Sequence, residues 1–62
     1  MQTATQVVIV HDRGASRLPL SAPRTLHEVD ELIRRVVLKR GGDVSALVVS
    51  LPVGSSTAIV NL

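Results

Sequence analysis

Few side chains in this sequence could do acid–base, nucleophilic or metal chemistry. The 62 residues include two histidines, five carboxylates, a scatter of serines and threonines, and no cysteine. His11 and Asp12 are adjacent at the end of a β-branched run, and His27 lies at the start of a helical pattern. They could form an acid–base pair or contribute to a metal site. A metal site needs about three or four converging ligands, and these spacings match no metal motif. The plain expectation is that His11 closes a strand and that His27 is a solvated helix residue. Ser16, Ser21, Ser45, Ser50, Ser55, Ser56 and Thr57 supply hydroxyls, but none sits in the G-x-S-x-G turn that presents a nucleophile. Gly54-Ser55-Ser56-Thr57 has the composition of an anion-binding nest. It precedes a strand rather than a helix, so a hairpin loop is expected. No catalytic residue, cofactor or metal ligand is assigned, and the chain is not expected to be an enzyme.

Arg34, Arg35, Lys39 and Arg40 form the one basic cluster. A solvent-facing basic helix can contact phosphates, and Arg13, Arg17 and Arg24 would widen such a patch. Three observations weigh against nucleic acid. Cations at a helix C-terminus are favoured by the helix dipole alone. The helix carries no Asn or Gln for reading adenine. Glu28, Asp30 and Glu31 share the helix surface, in a chain whose formal charge is only +2, ordinary for a soluble domain. The chain also has no Phe, Tyr or Trp. Single-strand binders therefore lose their stacking platforms, and protein interfaces lose their commonest anchors. Nucleic-acid binding through the four basic residues stands as the alternative reading.

These side chains must be held by a small scaffold, and the sequence pattern outlines it. Thr5–His11 alternates on two apolar faces, Val7 with Ile9 and Val8 with Val10, as in a central strand. Asp12–Ser16 reads as a turn around Gly14. Arg17–Ser21 alternates, but Pro19 cannot donate to a ladder, so this segment is either an edge strand or a crossover loop. Thr25-Leu26-His27-Glu28 spells a capping box that opens a helix running to Arg40. Leu26, Val29, Ile33, Val36 and Val37 recur at helical spacing, widened by Leu32. Asp30 with Arg34, and Glu31 with Arg35, are spaced to pair along the outer surface. Gly41 is the natural residue to end the helix. Val44–Leu51 and Ser56–Leu62 read as two further strands joined by a turn at Pro52–Ser55.

The predicted fold is α+β: one domain over residues 1–62, in β-(β)-α-β-β order, with a three- or four-stranded sheet and one amphipathic helix on one face. The order and length resemble the ubiquitin-like β-grasp. A β-grasp sulfur carrier or modifier ends in Gly-Gly, whereas the only such pair here, Gly41-Gly42, is internal and the chain ends Val60-Asn61-Leu62. The size and order are also similar to small tautomerases, but Gln2 follows Met1 where those enzymes use a proline base. A ribbon-helix-helix DNA binder needs a second helix where Val44–Leu62 reads as strands.

A chain this short buries only about 60% of its unfolded surface. One helix covers one sheet face, which leaves a second apolar face without cover. Val8, Val10, Val48 and Val60 are the expected members of that face and the candidate oligomer contacts. The functional expectation is a small non-enzymatic regulator or adaptor working through protein contacts, as a homodimer or with a protein partner. The absence of cysteine suits a cytoplasmic setting. No run of eighteen or more apolar residues is present to span a membrane.

Overall fold

The strand-forming run at the start of the chain becomes the centre of the sheet. In the computed structural model, which describes all 62 residues, β1 (Ala4–His11) is hydrogen-bonded on both sides. Its first neighbour is β2 (Gly14–Arg24), which returns antiparallel through the two-residue turn at Asp12 and Arg13. Gly14 takes a φ of 129°, a left-handed value that suits glycine. The segment with the undecided role, Arg17–Ser21, is thus part of an eleven-residue strand, and the turn is narrower than Asp12–Ser16. β2 lies at the sheet edge, where the missing donor of Pro19 is tolerated.

Helix α1 (Leu26–Lys39) carries the chain across one face. Its start is built as the residue types imply. The Thr25 hydroxyl accepts from the Glu28 backbone N–H at 3.2 Å, and the Thr25 N–H donates to the Glu28 carboxylate at 3.0 Å. At its end, the Gly41 N–H donates to the Leu38 carbonyl and the Gly42 N–H to the Val37 carbonyl, at 3.0 and 2.9 Å. This is a Schellman closure with Gly41 at φ 79°. A side chain on Gly42 would stand 2.7 Å from Val37 Cγ1, so both glycines are needed.

Beyond the helix, β3 (Val48–Ser50) is much shorter than the expected strand over Val44–Leu51. The Asp43 carboxylate accepts the Ser45 N–H and hydroxyl at 2.8 and 2.9 Å. The Leu47 N–H then closes on the Val44 carbonyl at 3.2 Å. This local turn takes the backbone groups that a longer strand would have paired. β4 (Thr57–Asn61) pairs antiparallel with β3 and parallel with β1. The fold is α+β in β-β-α-β-β order, with a mixed four-stranded sheet ordered β2-β1-β4-β3 and one helix. A parallel central pair needs a crossover, and α1 with β3 provides it.

Seven residues are buried: Ala4, Val7, Val29, Ile33, Leu47, Ala58 and Val60. Such a thin core follows from a chain with no aromatic side chain. Ala4 and Val7 would point to opposite faces of a regular strand, yet both belong to this core. A bulge resolves the conflict. The N–H groups of Thr5 and Gln6 both donate to the Ser56 carbonyl, at 2.8 and 3.4 Å, which shifts the alternation by one residue. The accessible surface is 4404 Å², whereas a compact monomer of this mass exposes about 3,900 Å².

Candidate functional site

Activation of a serine as a nucleophile needs a histidine base placed to take its proton. Across the β1–β2 hairpin, His11 Nε2 lies 3.1 Å from the Ser16 hydroxyl. The Arg13 backbone N–H donates to His11 Nδ1 at 3.3 Å. An imidazole that accepts at Nδ1 carries its proton on Nε2 when neutral. Nε2 therefore donates to Ser16 and is not placed to take its proton, the reverse of what an activated serine requires. The pair holds a turn. His27 bonds instead to Glu31, at 3.0 Å and in full view of solvent. No three His, Asp or Glu side chains converge as metal ligands would.

The Gly54–Thr57 segment has hydroxyls but no free nest. The Ser55 N–H donates to the Pro52 carbonyl at 3.0 Å, and the Thr57 N–H donates to the Ser55 hydroxyl at 3.0 Å. Gly54 turns the chain at φ 80°. Gln2 donates to the Ser55 carbonyl at 2.8 Å, which ties the first residues to this loop.

The basic cluster divides into one half-buried, hydrogen-bonded residue and three exposed ones. Arg34 does not point outward as its helix position suggested. Its Nε sits 3.2 and 3.0 Å from the two Asp30 oxygens, and its terminal nitrogens donate to the Val44 and Leu47 carbonyls at 3.2 and 3.4 Å. The guanidinium fork reaches several acceptors at once, so Arg34 pins the loop before β3 against the helix. Arg35, Lys39 and Arg40 are exposed and form no ion pair. The expected Glu31–Arg35 pair is replaced by His27–Glu31, and Arg24 pairs with Glu28 at 3.5 Å. The Thr25 N–H, with Thr25 Oγ1 and then Arg24 contributing less, holds the Glu28 carboxyl below its ordinary pKa. The Ser45 N–H and hydroxyl do the same for Asp43.

The sequence matches no protein-family profile, no curated protein and no solved structure.

Two apolar surfaces remain uncovered. The first is the sheet face away from the helix. Val8, Val10 and Val48 are there as expected, but Val60 is not. The register pairs Val7 with Ala58 and Ile9 with Val60, which turns Val60 into the core, where it is fully buried. Ile59, paired with Val8, takes its place on the outer face. The buried face of β4 carries Ala58 and Val60, and the outer face carries Ile59 between the polar Thr57 and Asn61, so the alternation within the strand already favours Val60 for the core. The second surface lies along the helix. α1 leans toward β3, leaving a cleft between its other flank and β2. Leu18, Leu32 and Val36 are 47%, 43% and 42% exposed along it. The surplus of Leu and Val on the helix stripe was visible in the sequence. Which flank would stay open was not.

Proposed function

We propose that this chain is a small regulator or adaptor, not an enzyme, that acts through protein–protein contacts as a cytoplasmic homodimer. The observation that carries the reading is the outer sheet face. Val8 is paired with Ile59 at its centre, Val10 adjoins Val8, and Val48 lies on β3 with Asn61 between it and Val10; Arg17, Gln6, Thr57 and Ser50 lie around them, an arrangement like that of an interface with its polar rim. Neither edge of the sheet offers a better route. β3 is three residues long, and Pro19 interrupts β2.

Sedimentation equilibrium at micromolar concentration tests the reading. The expected result is a dimer that Val48→Asp converts to a folded monomer, since Val48 is 56% exposed and a change there spares the core. A wild-type chain that remains monomeric would overturn the homodimer.

Nucleic-acid binding is the second reading, favoured by the exposed, unpaired Arg35, Lys39 and Arg40. Arg34 adds nothing to it while it is bound to Asp30 and the loop carbonyls. Affinity for duplex or single-stranded DNA that falls steeply with salt, and falls again in an Arg35→Ala, Lys39→Ala variant, would support this reading. Absence of salt-sensitive binding would end it. No helix of the protein is long and apolar enough to cross a membrane.

A further inference from the structure

The cleft between α1 and β2 differs from the outer sheet face in one respect, its charge. At about 3.6 residues per turn, Leu32 and Val36 line the helix wall of the cleft, and Lys39 and Arg35 come next on the same flank. Leu18 and Leu20 form the strand wall, and Val7 and Ile9 lie at the floor. Arg40 is the one charged side chain lining this cleft, and it also lines the adjoining hollow beneath the end of the helix. No carboxylate lines the α1–β2 cleft. Three acids lie close by, Glu28 and Glu31 in a hollow with Leu32 and Arg35 and Asp43 in the hollow with Arg40; Glu28 is bonded to Thr25 and Arg24, Glu31 to His27 and Asp43 to Ser45. An aliphatic trough thus carries three unpaired cations along its rim and at its end.

We infer that this cleft docks a segment of a partner protein in which a few aliphatic residues are followed by acidic ones. The inference rests on the reading of the chain as a protein-binding module and names the chemistry of its partner. Aliphatic side chains would cover Leu18, Leu32 and Val36, and the carboxylates would meet Arg35, Lys39 and Arg40. Complementary rim charges steer association and set orientation more than they set affinity. Nucleic acid would satisfy the cations and leave the aliphatic trough open, so the peptide is the better match to the whole surface.

The test is an NMR titration of the intact chain with a short synthetic peptide, an aliphatic core followed by a run of glutamates. A second peptide carries lysines in place of the glutamates. The glutamate peptide is expected to move the amide signals of Leu18, Leu32 and Val36 saturably, and the lysine peptide to leave them in place. An Arg35→Glu, Lys39→Glu, Arg40→Glu variant, with signal dispersion unchanged, is expected to bind the glutamate peptide about tenfold more weakly or worse. The proposal is overturned if the glutamate peptide causes no saturable change, if it moves Val10 and Val48 instead, or if both peptides bind alike. A single-stranded oligonucleotide that moves the cleft signals at lower concentration than the peptide would also overturn it. So would cleft signals that shift with protein concentration alone, since a second copy would then be the occupant. A chain that sediments as a monomer yet takes the glutamate peptide would refute the homodimer and leave this site standing.

Discussion

The two flanks of helix α1 arise from the same amphipathic stripe and end in opposite states. On the β3 side, Arg34 reaches from Asp30 to the Val44 and Leu47 carbonyls, and the loop it holds packs Leu47 into the core. On the β2 side, Leu32 and Val36 face Leu18 across an open cleft, with no loop above them. The connection leaving the helix explains the asymmetry. The chain must travel from α1 to β3, so its loop covers the flank it passes, and nothing returns to the other. Burial on one flank supports the fold, while exposure on the other is available for recognition.

The largest break in this comparison should come from truncating the stripe at its covered and uncovered positions. Val29 is fully buried and Val36 is not. Val29→Ala is expected to lower unfolding free energy by about 2 kcal/mol, from lost burial plus the cavity left behind. Val36→Ala is expected to lower it by less than about 1 kcal/mol. Urea melts of the two variants measure both values, and equal losses would show that the flanks do not differ as described.

A smaller contrast lies between neighbouring arginines. Arg34→Ala leaves two loop carbonyls and Asp30 without their donor, and is expected to destabilise by about 1–2 kcal/mol. Arg35→Ala removes a solvated side chain and should stay within about 0.5 kcal/mol of the wild type. Arg34→Lys should recover only part of the loss, because one ammonium cannot reproduce the guanidinium fork. Thermal melts of all three variants test this, and full recovery by lysine would reduce Arg34 to a simple charge.

The smallest effect should be the dependence on acid. Glu28 and Asp43 both have folded-state pKa values below their ordinary ones. Their contribution is therefore present above the ordinary carboxylate range and is lost as pH falls through that range and below it. Each group is exposed, so the change in stability should be slight. A Glu28→Gln, Asp43→Asn variant should start less stable at neutral pH and lose less than the wild type on acidification, as read from urea midpoints. An unchanged acid slope would mean that these hydrogen bonds do not persist in solution.

The sequence by itself determined what depends on near neighbours. The capping box at Thr25 and Glu28, the helix to Arg40, the Gly41 stop, the two-faced strand β1 and the exclusion of Pro19 from a central strand each rest on backbone groups or side chains a few residues apart. The tertiary structure decided what depends on partners far along the chain. The bulge at Thr5 and Gln6 is set by the Ser56 carbonyl. Val60 faces the core with Ala58, a side that the polar Thr57 and Asn61 flanking Ile59 already favour and that the parallel pairing with Ile9 fixes. Arg34 turns inward because carbonyls ten and thirteen residues away come within reach. For the same reason the basic cluster, legible as charge, became a rim only when β2 was laid beside the helix and Leu18 was set across from Leu32 and Val36.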